Sequence, residues 1–226
     1  VYAGRRRYKA GWVVLDGWKR GLPAQEADPL PCEVAFAMQA IFFLRRWRDS
    51  AVALTLCWVC LLRVGEALGL RCEDRLLPSG HRGGDYVVVL IRKSKAGVPN
   101  TERLLIYNPR VVAFLTRFKA TLQLPSGAVR LVTLTYDKYR RHMRWASVFL
   151  GFGEDAFRSH SARRGGASAL AMANVPFKDI MVAGRWASER SCRLYIRKGA
   201  IATVRIRHAI SKANWLRLCA LSSLCE

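Results

Sequence analysis

The stretch Ala51–Leu62 is apolar at every one of its twelve positions except Thr55, and it stops at Arg63. Twelve residues fall short of the roughly 20 needed to cross a bilayer. The stretch therefore reads as a helix buried on all sides inside a folded domain. Arg63 at its end is expensive to bury unless it is paired or faces an anion. Glu66, three residues on, is placed to orient it. Any fold for this chain must bring a partner for that arginine to the rim of its own core.

The chain has 226 residues, enough to bury a core without disulfide staples. Against 38 Lys and Arg stand 16 Asp and Glu, a net charge of +22. Such an excess opposes compaction unless a polyanion relieves it. Nucleic acid is the first expected partner and an anionic membrane surface the second. The seven cysteines are irregularly spaced and show no paired ladder, which favours a reducing compartment and argues against secretion. Cys57 and Cys60 form a CxxC inside the apolar run, with no second Cys or His pair at metal spacing. Core packing is the expected role, and no metal or cofactor site is predicted.

Along the chain, residues 1–31 read as the tail of a preceding domain plus a linker, carrying the basic triplet Arg5-Arg6-Arg7. Val1 is not a start methionine, so the chain is expected to be a fragment. Residues 32–226 read as the main domain. Helical patterning predicts helices over Glu33–Arg48, Ala51–Leu62 and Val64–Leu70. A basic-tipped β-hairpin follows, with strands Tyr86–Ile91 and Arg103–Tyr107, and a further short strand near Arg75–Leu77. Later helices are predicted over Pro109–Leu122, Asp137–Leu150, Ser161–Ala173, Pro176–Ala183, Glu189–Ile196 and Ala202–Leu221. The last carries Ile206, Ile210, Trp215 and Leu218, which either dock on a neighbouring molecule or pack within the chain. The expected class is α+β, mostly α, with a small antiparallel sheet.

Two further segments carry candidate chemistry. In Phe157–Gly166, His160 and Arg163 fall three apart at a predicted helix start, where free N–H groups and the helix dipole attract anions. Gly165 and Gly166 each cost the helix roughly 1 kcal/mol against Ala, which close backbone packing would justify. In Gly184–Tyr195, Trp186 precedes Tyr195 by nine residues. Each fragment alone reads as a basic surface, a core indole or an ordinary helix tyrosine.

In order, the chain presents Arg63 with Glu66, a lysine at a hairpin tip, His160-x-x-Arg163, Trp186 and Tyr195. This set resembles the catalytic domain of the tyrosine recombinase (phage integrase) family over roughly residues 33–200. The intervals of 26 residues from His160 to Trp186 and nine from Trp186 to Tyr195 match that family. The wording Gly184-Arg185-Trp186-Ala187-Ser188 is similar to recombinases of eukaryotic mobile elements.

The resemblance implies a role for each residue. Arg63 and Arg163 correspond to the paired arginines that hold the scissile phosphate, a task suited to forked guanidinium groups. Lys95, with Lys93 as the alternative, corresponds to the hairpin lysine that protonates the departing 5′ oxygen. His160 corresponds to the histidine that assists proton transfer. Trp186 stands where the family uses His or Trp; its indole N–H donates but is neither acid nor base. Tyr195 corresponds to the nucleophile that forms a 3′-phosphotyrosine, and Glu66 to an acidic supporting residue. Fixed arginines would take the place of metal ions in stabilising charge on the phosphate.

The resemblance implies a DNA breaking-rejoining enzyme, a site-specific recombinase or integrase. It needs no cofactor and acts on double-stranded DNA, as a homo-tetramer on synapsed sites. The matching location is nuclear in a eukaryote, or cytoplasmic and nucleoid-associated in a prokaryote. It also implies that residues 1–31 are the remnant of a DNA-clamping domain. A type IB topoisomerase-like enzyme, a catalytically decayed mobile-element DNA-binding protein and a basic RNA-binding module are the alternatives. Duplex affinity that rests mainly on phosphate contacts should fall steeply with salt, and titrations between about 50 and 200 mM salt measure the slope.

Overall fold

The computed structural model describes the backbone of residues 28–72, 75–76, 86–91, 102–121 and 130–223. Side chains are described for these except at 75–76, 117–121, 194–195, 197–198, 200 and 222–223. Within them run α1 (Cys32–Leu44), α2 (Arg48–Val59), α3 (Val64–Gly69), β1 (Arg75–Leu76), β2 (Val87–Ile91), β3 (Glu102–Ile106) and α4 (Pro109–Thr121). They are followed by α5 (Tyr136–Phe149), α6 (Ser161–Met172), α7 (Phe177–Ala183), α8 (Glu189–Ala209) and α9 (Lys212–Ser223). The architecture is mostly helical with one small antiparallel sheet, as the residue patterning predicts.

The apolar stretch beginning at Ala51 is the heart of the core. Ala51–Cys57 are all buried within α2, which lies between α1 and α6. Cys57 and Cys60 are buried free thiols; burial pushes Cys60 up to about 12 and Cys57 higher still. They belong to the packing of the core. The sheet has the order β1-β2-β3, with Val89 paired to both Arg75 and Leu104. Val87, Val89 and Ile91 alternate onto its buried face, the period-two pattern of a strand with one covered side. Among the described residues, no helix is long and apolar enough to cross a membrane.

Helix α6 runs through the centre, and its paired glycines explain how. A Cβ on Gly165 would overlap the Leu30 carbonyl, and one on Gly166 would overlap the Trp58 carbonyl. The missing side chains let α6 lie directly on the end of α2 and on the segment before α1. That segment is pinned by Leu30, whose N–H donates to the Ser161 carbonyl (2.9 Å) and whose carbonyl accepts from Trp58 Nε1 (3.0 Å).

The C-terminal helices differ from expectation. The predicted helices Glu189–Ile196 and Ala202–Leu221 are redrawn as one long helix, Glu189–Ala209, and a second, Lys212–Ser223. The helix continues through residues 197–201, and within them Gly199 lies against Ser168 on α6 at a distance no Cβ would allow. The break falls instead at Ile210, which is extended. Helix α9 then turns back onto α1, with Leu218 fully buried and Ile206, Ile210 and Trp215 packed against the core. Packing within the chain is therefore the arrangement observed. Helix α1 also ends earlier than Arg48, because Arg46 takes a left-handed conformation (φ 59°) and α2 starts at Arg48.

Three aromatic groups outside the candidate site are structural. His142 stacks on Trp47 (3.9 Å between centroids) and bonds Ser50 Oγ through Nδ1 (2.7 Å); burial, then Lys138 and Arg141, lower its pKa. Tyr139 is fully buried, and burial raises its phenol well above the usual range. Tyr136 is held by Ser159 Oγ (2.8 Å). His208 is exposed, and His81 lies outside the described residues.

Gly166→Ala tests the central contact. Helix propensity alone would gain about 1 kcal/mol. Overlap with the Trp58 backbone carbonyl outweighs that gain, and we expect a net loss of roughly 1–3 kcal/mol by urea unfolding.

Candidate active site

Arg63 occupies the N-cap position of α3 with extended backbone (φ −70°, ψ 147°). The preceding turn requires Leu61 in the left-handed region (φ 51°), a conformation costing an ordinary L-residue roughly 1–2 kcal/mol. Glu66, at the third position of α3, reaches back: its Oε2 accepts from the Arg63 backbone N–H (2.8 Å) and its Oε1 from Arg63 Nη1 (2.7 Å). A single carboxylate thus caps the helix and fixes the guanidinium beside it.

Arg163 arrives from the first turn of α6, a hundred residues away in sequence. Its Nη1 lies 4.0 Å from Glu66 Oε2, its Nη2 donates to the Gly184 carbonyl, and its Cζ sits 4.7 Å from the centroid of the Trp186 ring. The side chain is only 4% exposed, against 32% for Arg63. Its guanidinium thus turns inward, under Trp186. His160 sits at the exposed N-cap position of the same helix, one turn before Arg163.

Trp186 follows α7 through a tight helix ending. The Trp186 N–H donates to the Met181 carbonyl (3.0 Å) and the Arg185 N–H to that of Val182 (2.9 Å), with Arg185 left-handed (φ 54°). This is the paired reverse hydrogen bonding of a Schellman ending, with arginine where glycine is favoured. The Trp186 ring folds over Gly184 so closely that a Cβ there would overlap it. Helix α8 is capped by Ser188, whose Oγ accepts from the Ser191 N–H (3.4 Å).

Arg185 is the member of the cluster that sequence reasoning missed. Its Nη2 is 2.5 Å from Glu66 Oε2 and its Nε 3.0 Å from Glu102 Oε2 on β3. Nothing in the sequence marks Arg185 out, because its role depends on a left-handed backbone and on carboxylates 119 and 83 positions away.

Arg63, Glu66, Arg163 and Trp186 are therefore brought together. Tyr195 lies in α8, and its side chain falls outside the described residues, as do Lys93 and Lys95. Cys192, three residues before Tyr195, is buried. Burial raises its thiol pKa while the positive charges of Arg163 and Arg193 act in the opposite direction. The described cluster concentrates fixed guanidinium donors around one shared carboxylate, an arrangement suited to holding a phosphate. Among the described residues, no group of three or more His, Cys, Asp or Glu is placed to hold a metal ion.

Solved structures similar to this chain include the site-specific recombinase XerH and the recombinase XerA. XerH bound to its difH substrate before cleavage superposes with a TM-score of 0.58 at 16% identity, over 77% of this chain and 52% of that one. XerH bound to a palindromic difH substrate after cleavage gives 0.60 at 16%, over 80% and 52%. XerA gives 0.60 at 15%, over 84% and 66%. The fold is that of a tyrosine recombinase catalytic domain. The chain spans about half the length of XerH and about two thirds of XerA. No protein-family model matches the sequence, and no curated protein matches it by sequence. The likeness to these recombinases is one of fold.

Glu66 is 8% exposed, beside Arg163 at 4% and Arg185 at 10%. Removing one partner from such a group leaves buried charge uncompensated. Glu66→Leu is expected to lower unfolding free energy by about 3–5 kcal/mol, measured by chemical denaturation.

Proposed function

We propose that the chain is the catalytic part of a site-specific DNA recombinase that breaks and rejoins duplex DNA through Tyr195. The observation that carries this reading is the convergence of Arg63 and Arg163 on Glu66 within a recombinase fold. The net charge of +22 supports a polyanionic partner. XerH in both its structures is bound to a recombination-site substrate, which supports duplex DNA as the substrate here.

In the proposed reaction the phenol oxygen of Tyr195 attacks the scissile phosphorus. As that bond forms, the bond to the 5′ oxygen breaks, and the leaving oxygen takes a proton from Lys95, or from Lys93. The two arginines hold the nonbridging oxygens as charge develops on them, and His160 accepts the proton that the Tyr195 phenol gives up. Trp186 contributes its N–H and keeps Arg163 in place beneath its ring. Dense positive charge around a phenol with a free pKa of about 10 favours its ionised, attacking form. The 3′-phosphotyrosine conserves the energy of the broken linkage, so a 5′ hydroxyl from another strand restores a phosphodiester by the reverse of the same step.

The finer parts of the reading follow the sequence. The Gly184-Arg185-Trp186-Ala187-Ser188 wording supports a mobile-element recombinase, acting in the nucleus of a eukaryote or on the nucleoid of a prokaryote. Strand exchange between two duplexes calls for four protomers on synapsed DNA, and residues 1–31 would lead from a DNA-clamping domain.

A nicked suicide duplex tests the chemistry, because the short cleaved strand diffuses away and traps the adduct. Wild-type protein should give a denaturant-resistant protein–DNA band. Tyr195→Phe should abolish it, and Arg63→Ala or Arg163→Ala should reduce it at least 100-fold, the scale of losing a preorganised phosphate donor. An adduct that persists in Tyr195→Phe removes Tyr195 as the nucleophile.

A further inference from the structure

We infer that Arg185 is a positioning residue that holds the two-arginine phosphate site together and ties it to the β-hairpin, a claim that rests on the recombinase reading above. The geometry is a chain of contacts. Glu102 on β3 binds Arg185 Nε (3.0 Å), Arg185 Nη2 binds Glu66 Oε2 (2.5 Å), and Glu66 binds Arg63 (2.7 Å) with Arg163 4.0 Å away. Four separate segments meet there: β3, the turn after α7, α3 and α6.

Three features mark the contact as more than a surface ion pair. Arg185 is nearly buried, where paired charges are little screened by solvent. Its backbone takes the left-handed conformation (φ 54°) that aims the side chain back across the site. Its neighbours engage the same target, because the Gly184 carbonyl accepts from Arg163 and the Trp186 ring covers the Arg163 guanidinium. Residues 184–186 thus grip Arg163 directly through Gly184 and Trp186, and Arg63 indirectly through Arg185 and Glu66.

Charge balance gives the arrangement its purpose. Without Arg185, Glu66 Oε2 would be held only by the Arg63 backbone N–H, with the Arg163 guanidinium 4.0 Å away as a competing partner. Arg185 fixes Oε2, leaving Oε1 for Arg63. The three arginines and two glutamates carry one net positive charge, which matches one phosphodiester. The second carboxylate lies on β3, which follows Lys93 and Lys95 in the sequence. Arg185 therefore ties β3 to the phosphate site.

The test uses the full chain and the nicked suicide duplex. Arg185→Met keeps most of the side-chain volume and removes the charge. Single-turnover adduct formation at saturating DNA should slow about 100-fold, the cost of misplacing reacting groups by about an ångström. Duplex affinity should change less than threefold, a split that mere loss of a surface charge would not produce. Arg185→Lys, a point charge that reaches one carboxylate, should recover part of the rate. If Arg185 acts through Glu66, Arg185→Met combined with Glu66→Gln should be no slower than the slower single variant. Full multiplication of the two losses would overturn the proposal, as would an unchanged rate in Arg185→Met.

A second readout is independent of catalysis. The Arg63 backbone N–H donates to Glu66 Oε2, so its hydrogen exchange should accelerate in Arg185→Met. Unchanged exchange there in a folded variant refutes the positioning role even if the wild-type protein forms no adduct. Absence of a wild-type adduct refutes the recombinase reading alone. Should Arg185→Met fail to fold, Glu102→Gln loosens the same chain from its other end. It should slow adduct formation in the same direction, and an unchanged rate in that variant also counts against the proposal.

Discussion

Glu66 is shared. Its carboxylate accepts from the Arg63 backbone and guanidinium, meets Arg185 at 2.5 Å, and lies 4.0 Å from Arg163. Guanidinium groups this close repel one another, and in a partly desolvated setting that repulsion is little screened. One carboxylate between them lets the fold concentrate positive charge at a point. The same residue ends the apolar core neatly, because the helix it caps starts immediately after the chain leaves α2.

The surrounding architecture serves that arrangement. Helix α6 delivers Arg163 only because Gly165 and Gly166 allow its backbone to lie on Leu30 and Trp58. Leu61 and Arg185, both left-handed, turn the chain sharply at the two places where the site is entered from a helix end. Strained backbone of this kind is stable where surrounding contacts over-determine it, and here those contacts are the buried core on one side and the arginine–carboxylate cluster on the other.

Much of the fold was legible because hydrophobic patterning is a local signal. The apolar stretch Ala51–Leu62 predicted a buried helix; α2 covers it up to Val59, and the chain leaves the helix through left-handed Leu61. The β-branched, apolar stretch Tyr86–Ile91 predicted a strand, and Val87–Ile91 form one. The misreadings occurred where long-range packing overrode local cues. The sequence pattern leaves residues 197–201 between two predicted helices, but α8 runs through them with Gly199 packed against Ser168. Arg46 looks like a continuation of α1 but ends it, because the turn into α2 sets its φ at 59°.

What the sequence determined by itself was the set of elements and the cast of chemical groups. Periodicity and composition are properties of neighbouring residues, and the order of Arg63, His160, Arg163, Trp186 and Tyr195 needs no coordinates to be read. Only the tertiary structure decided which charges share a partner. It turned Arg163 inward beneath Trp186, recruited Arg185 and Glu102 to the cluster, and folded α9 back onto α1. The physical reason is distance: an ion pair between residues 119 positions apart depends on where two helices and a strand come to rest. Backbone angles at single residues such as Leu61 and Arg185 determine that placement, and no local propensity specifies them.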